Sequence, residues 1–257
     1  MLEALAREAD LYRDYALRFT CTEEARIAHY DSSNEATRES VERFAYLLER
    51  EADGQTLREY REALKKRQRS GARDVQYEPT GKEVDNDERF PPAYAWVFLF
   101  SPFHQPYFMY RSLGDRFEGF DWVHEIQFRG ALPFTDGKDI REWEGTVLID
   151  VVTLTPLEVR AEPTAQKERI RALFSQWSQA FNLLGFRLAP RPFGYRCRVA
   201  FGLRRERLSF PTELRYETFR AMGPKQFVPW MASVRGYGDY RFFKTSTTET
   251  TGGPAGP

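Results

Sequence analysis

The stretch Phe120-Asp121-Trp122-Val123-His124-Glu125-Ile126-Gln127-Phe128-Arg129 decides the fold class. Its even-numbered residues are aromatic or aliphatic apart from His124, and most of its odd-numbered residues are charged or polar. A period of two is typical of a β-strand with one face against a core. The sequence therefore predicts a sheet strand here, with Trp122 and His124 on its apolar face.

The same alternation recurs on both sides of this stretch. It covers residues 19–29, 42–49, 143–153, 157–161, 195–203, 212–219, 227–234 and 237–243. Because most of these strands follow one another without a helix between them, they favour antiparallel neighbours over βαβ units. The segments 143–153 and 157–161 are expected to form one hairpin.

Two helices accompany the predicted sheet. The first is expected over residues 2–17. The second, over residues 165–184, has an apolar stripe at helical spacing. Its members are Ile170, Phe174, Trp177, Phe181 and Leu184. We expect this stripe to pack on the concave side of the sheet.

Together these patterns predict one α+β domain over residues 1–244, with an antiparallel sheet curled around helices. The polar segment 69–90 is expected to be an exposed loop. The apolar run 94–100 fits either a short buried helix or a buried strand, and its periodicity does not distinguish the two. Residues 245–257 are mostly Thr, Gly and Pro and are expected to form a disordered tail.

The composition limits the classes of partner that the protein is expected to bind. Lysine and arginine number 38, as do aspartate and glutamate, so the formal net charge is zero and no global field attracts nucleic acid. No run of 18 apolar residues exists, so no helix is expected to span a bilayer. Binding to a membrane surface is still compatible with the sequence. The N-terminus lacks the features of a signal peptide. The protein is therefore expected to be periplasmic or secreted if a signal was removed, and cytoplasmic otherwise.

No motif for catalysis or for a metal ion was found. There are three histidines, none of them in a zinc, nucleophile-elbow or phosphate-binding pattern. Asp121 and His124 would face opposite sides of a regular strand and could not form a relay. The sequence thus predicts a non-enzymatic protein without cofactor or metal, in which His124 is a core or cavity residue.

A basic segment, Arg187 to Arg207, has a local excess of positive charge. It holds seven arginines and Glu206 as its only acid. Arg196, Arg198 and Arg204 share a predicted strand face and are candidates for binding an anionic polymer or nucleic acid. A solvated face that pairs with acidic neighbours explains the same pattern.

Two cysteines, Cys21 and Cys197, both fall on apolar faces of predicted strands. If the protein is exported and the two strands come close, they could form a disulfide. Two buried free thiols are the alternative.

The segment Trp143-Glu144-Gly145-Thr146-Val147-Leu148-Ile149-Asp150 and the following Pro156–Glu162 resemble a hairpin of the outer-membrane lipoprotein carrier and sorting family (LolA-like). The later segment Leu208–Tyr216 resembles a strand entry of that family. The N-terminal part is similar to uncharacterised secreted bacterial proteins. The resemblance implies an unclosed β-barrel wrapped over helices, with an apolar cavity for acyl chains. No acyl-binding residue of the family can be matched by position.

The predicted function is the binding of an acyl chain, a lipid or a lipidated partner by an envelope protein. Trp122, His124 and Trp177 are the predicted wall of the site. A structural or protein-interaction module without a ligand is one alternative, and anion binding through the basic segment is the other.

Overall fold

A computed structural model describes residues 1–16, 18–31, 33–50, 57–67, 76–84, 91–119, 121–131, 142–184, 193–205, 208–223 and 226–243. The helices are α1 (Leu2–Ala16), α2 (Gln166–Leu184) and two 3₁₀ helices, Ala93–Phe100 and Gln105–Tyr107. The strands are β1 (Phe19–Tyr30), β2 (Ala36–Arg50), β3 (Leu57–Arg67), β4 (Gln76–Glu83), β5 (Phe108–Glu118), β6 (Asp121–Ala131), β7 (Glu142–Asp150), β8 (Pro156–Pro163), β9 (Phe193–Ala200), β10 (Leu203–Arg205), β11 (Leu208–Phe210), β12 (Glu213–Ala221) and β13 (Phe227–Phe242).

Eleven of the described strands form one antiparallel sheet, in the order β4-β3-β2-β1-β13-β12-β9-β8-β7-β6-β5. The strands β4 and β5 lie at opposite edges and do not pair, so the sheet is not closed into a barrel. β10 and β11 form a separate two-stranded hairpin. The predicted fold class, a curled antiparallel sheet with helices, is confirmed.

Most predicted elements are present with nearly the predicted bounds. Both α-helices, β1 and the β7–β8 hairpin are among them. Five strands were not predicted: β3, β4, β5, β10 and β11. Of these, β4 lies in the segment expected to be a loop. The single domain over residues 1–244 stays a prediction, and the expected disordered tail lies outside the described residues.

The concave face of the sheet is the one that α1 and the 3₁₀ helix Ala93–Phe100 cover. Of the two predicted alternatives, the run 94–100 is the helix, and all eight residues of this 3₁₀ helix are buried. Its Trp96 meets Trp143 of β7 edge to face, with ring centroids 5.5 Å apart. Its Tyr94 hydroxyl donates a hydrogen bond to the carbonyl of Leu57 at 2.8 Å. The centre of the concave face is thus a filled aromatic core.

Gly145 shows why the β7–β8 hairpin motif contains a glycine. A Cβ atom built at this position would lie 1.9 Å from the carbonyl oxygen of Arg160 on β8. Backbone atoms cannot yield by that much, so only glycine lets the two strands approach this closely.

The described part of α2 packs on the convex face, opposite to the expected side. Ile170 and Phe174 contact Phe219 and Ala221 of β12. These β12 residues alternate with Tyr216, which belongs to the concave core, and therefore point to the other side of the sheet. The sequence does not predict which face of the sheet α2 covers, because the helix needs an apolar stripe on either face.

A buried ion network lies on the concave face of β1 and β3. The Arg61 guanidinium contacts the carboxylate of Glu23 at 2.7 Å and that of Glu59 at 2.7 Å. The side chains are 4%, 1% and 0% exposed, respectively. Burial raises the pKa of Glu23. Burial alone would lower the pKa of Arg61, but the two carboxylates raise it above its ordinary value. Stability therefore depends on these groups remaining paired.

Glu8 of α1 is buried against β11, and it predicts a pH dependence of stability. Burial raises its pKa from 4.5 to about 8, despite a hydrogen bond from the backbone N–H of Ser209 and the charge of Arg204. The folded protein then holds this proton more tightly than the unfolded chain does. Stability contributed at this site is present below pH 4.5 and is lost as the pH rises to about 8.

Glu8→Gln is therefore expected to raise the free energy of unfolding at pH 8 by roughly 2–3 kcal/mol more than at pH 5. Urea unfolding at the two pH values measures the difference. Glu3→Gln, on the exposed side of the same helix, is the control and should show no such dependence. Equal effects of Glu8→Gln at both pH values would contradict the prediction.

Candidate functional site

The β5–β6 hairpin extends the concave face beyond the filled core. On β6, Ile126 and Phe128 are buried in the core, and Trp122 and His124 continue the same face towards the hairpin tip. The Trp122 ring packs against Phe117 of β5, with centroids 4.3 Å apart. Phe117 is 67% exposed and Trp122 is 43% exposed. The aromatic surface of the core therefore continues to this end of the sheet, where it is exposed to solvent.

His124 lies between that aromatic pair and the core. Its ring contacts Ser112 and Asp115, both on the neighbouring strand β5. Asp121, which the sequence analysis excluded as a partner of His124, lies on the other face of β6, as expected. The residues that do contact His124 were not predicted. The isolated Gly114 was the available signal, because a glycine inside a strand often marks a bulge.

Trp177, the third predicted wall residue, lies in the part of α2 whose side chains are outside the described residues. The described half of α2 packs on the convex face. Of the three predicted wall residues, the structure thus describes the side chains of Trp122 and His124, which lie on one face of β6.

An open cavity of about 560 Å³ lies where the β10–β11 hairpin approaches the end of β13. Its lining includes Leu203, Arg205, Tyr237, Tyr240 and Phe242. Tyr240 and Phe242 also pack against the concave core. This size is in the range of small-molecule sites. It lies at the same end of the sheet as the β5–β6 tip, because β13 ends and β6 begins there.

A second open cleft, of about 570 Å³, lies on the convex face. Its charged lining consists of Arg160, Arg196, Arg198, Arg215, Glu144, Glu162 and Glu217. The carboxylates offset most of the arginine charge, so the cleft is polar without being strongly basic.

The three arginines predicted to bind anions do not form one site. Arg198 pairs with Glu158 at 2.5 Å and lies 3.9 Å from Glu213. Arg196 stacks over the Phe219 ring at 5.2 Å and makes no ion pair among the described residues.

Arg204 lies on β10, away from the convex cleft, and pairs with Asp150 at 2.8 Å. Although burial raises the pKa of Asp150, hydrogen bonds from Arg204 and two backbone N–H groups lower it to about 2. These ion pairs support a solvated face paired with acidic neighbours and weaken the anion-binding alternative.

Cys21 and Cys197 are free and buried. The disulfide that the sequence allowed is not formed, because β13 and β12 separate β1 from β9 in the sheet. Neighbouring strands lie about 4.8 Å apart, which makes a direct bridge across two intervening strands too long. Burial raises the pKa of both thiols well above the ordinary value.

Within the described ranges, no group of three or more His, Cys, Asp or Glu residues is arranged to hold a metal ion. No described helix is long and apolar enough to cross a membrane.

No family model and no curated protein matches this sequence. Solved structures do resemble it. One is a LolA superfamily protein from Nitrosomonas europaea, with 11% identity, a TM-score of 0.40, and coverage of 95% of this chain and 94% of that chain. Another is an outer membrane lipoprotein-sorting protein domain from Vibrio parahaemolyticus, with 13% identity, a TM-score of 0.45, and coverage of 96% and 94%. A third is a DUF1329 family protein from Desulfovibrio piger, with 10% identity, a TM-score of 0.41, and coverage of 94% and 92%. The resemblance predicted from the hairpin motif thus recurs among the structural neighbours. At these identities and TM-scores the likeness carries no argument about the function of this chain.

Proposed function

We propose that the protein binds an acyl chain, a lipid or a lipidated partner at the open end of its concave face. The exposed Phe117–Trp122 pair is the observation that carries this proposal. A contiguous aromatic surface that is exposed to solvent often marks a site for an apolar partner. They also continue the inner wall of the sheet, so an apolar ligand there would contact an existing aromatic surface.

The filled core limits where such a ligand can lie. Trp96, Trp143 and Phe128 are at most 1% exposed and occupy the centre of the concave face. A ligand would therefore lie outside this core, towards the hairpin tip. The open cavity beside the β10–β11 hairpin, at the same end, supports a site for part of an acyl chain. An envelope location belongs to the same proposal, because lipids and lipidated proteins are concentrated there.

Trp122→Ala is expected to weaken binding of an acyl ligand about tenfold, because it removes the apolar contact of one aromatic ring. Isothermal titration with palmitate and with a synthetic diacylated lipopeptide measures the affinity. Trp230→Ala is the matched control. Trp230 is 36% exposed, and the Arg220 guanidinium lies over its ring. It is on β13, at the end of the sheet opposite to the β5–β6 tip.

If the wild-type protein binds neither probe, and lipid extraction of protein purified from its own host recovers nothing, the proposal fails. A structural or protein-interaction module without a ligand would then be the better account. Equal losses for Trp122→Ala and Trp230→Ala would place the site elsewhere.

A further inference from the structure

Three polar side chains on the concave face of the β5–β6 hairpin form a hydrogen-bonded chain. The Ser112 Oγ lies 3.0 Å from His124 Nε2, and His124 Nδ1 contacts the Asp115 carboxylate. A carboxylate only accepts hydrogen bonds, so in the neutral ring Nδ1 carries the proton and Nε2 accepts from the serine hydroxyl. This is the order of nucleophile, base and orienting acid that activates a serine.

A bulge in β5 creates this arrangement. In a regular strand Ser112 and Asp115, three positions apart, would point to opposite faces. The register shifts between Ser112 and Gly114, and Gly114 has a φ of +99°. A Cβ at Gly114 would meet no atom within 4 Å, so the glycine is needed for its conformation. Bulges of this kind re-aim side chains and occur often beside active sites.

The burial of the three groups fits their separate roles. The His124 side chain is 14% exposed and Asp115 is 43% exposed, and Ser112 is exposed. The base is thus held in place with limited access to water, and a substrate can reach the serine hydroxyl.

We propose that Ser112 is a nucleophile that cleaves acyl esters. Its Oγ attacks the ester carbonyl carbon, and its proton passes to His124 Nε2. The C–O bond to the leaving alcohol breaks, the alcohol takes that proton, and the acyl group stays on Ser112. Water then attacks the acyl-serine, again with His124 as base, and the carboxylic acid leaves. The balance is ester plus water giving acid plus alcohol, with Asp115 as a positioning residue.

Two features name the substrate class. β5 is an edge of the described sheet, so part of its backbone N–H groups point outward, where they can donate to a developing oxyanion. The Phe117–Trp122 pair lies next along the same face, where the chain of an acyl ester would contact it. This choice of substrate rests on the proposed binding function, whereas the reactivity of Ser112 does not.

The test is covalent labelling with a short ethyl fluorophosphonate and with a dodecyl fluorophosphonate, followed by intact mass and peptide mapping. We expect one adduct, at Ser112, that disappears in Ser112→Ala. His124→Gln should lower the labelling rate at least about a hundredfold. Asp115→Asn should lower it strongly, and Asp115→Glu should restore most of it at an unchanged melting temperature. Ser33→Ala is the control, because Ser33 contacts a carboxylate, Asp31, but no histidine among the described residues.

Two outcomes would overturn the reactive serine, and a third would overturn the acyl-chain preference. Absence of an adduct with either probe, or an equal labelling rate in His124→Gln, would leave the three residues as a hydrogen-bonded network without chemistry. Equal rates for the short and long probes would keep the reactive serine and remove the acyl-chain preference. That result separates the catalytic proposal from the binding proposal.

Discussion

Arg61→Ala is expected to lower the free energy of unfolding by about 3–5 kcal/mol. The change leaves the carboxylates of Glu23 and Glu59 buried, and removes the guanidinium that contacts both of them. Arg235 lies 3.7 Å from Glu23 and can offset only part of that loss. Two carboxylates with almost no exposure cannot regain their hydration in the folded state.

Urea unfolding measures the effect, with Arg58→Ala as the matched control on the same strand. Arg58 pairs with Glu49, but its side chain is 48% exposed, so its loss should cost less than about 1 kcal/mol. Adding Glu23→Gln to Arg61→Ala should recover part of the stability by removing an unpaired charge. A cost for Arg61→Ala no larger than that for Arg58→Ala would refute the argument.

Trp143→Ala is expected to cost about 3–5 kcal/mol through the cavity it leaves. Trp143 is 1% exposed and packs edge to face against Trp96 of the 3₁₀ helix. The surrounding core is closely packed, so the 3₁₀ helix can move only partly into the gap. The same unfolding experiment with Trp230→Ala, at a half-exposed ring, should show a cost nearer 1 kcal/mol. Similar costs for both tryptophans would mean that the concave core is not tightly packed.

The sequence predicted the strands that bury apolar residues in the core and missed several strands that bury little. β1, β7 and β8 have one face in the core, so a period of two is visible in their residues. β3 reads Leu-Arg-Glu-Tyr-Arg-Glu-Ala-Leu-Lys-Lys-Arg, a composition that suits a helix equally well. Every residue of β4 is exposed. Strands near a sheet edge bury little, so tertiary pairing and not local preference holds them extended.

The candidate site was predicted in part for the same reason. The alternation in β6 placed Trp122 and His124 on the core side, which needs only the period of a strand. The partners of His124 come from β5, and a bulge at Gly114 moves Asp115 to the face of Ser112. A one-residue shift of register inverts every side chain beyond it.

By itself the sequence determined the elements with strong periodicity, the antiparallel class of the sheet and the apolar face of β6. These follow from local burial patterns, which each segment carries in its own residues. Only the tertiary structure decided which face α2 covers, where β3, β4 and β5 pair, and that Ser112 and Asp115 meet at His124. Each of these depends on strand register or on contacts between segments far apart in the chain. The residues of a single segment specify neither.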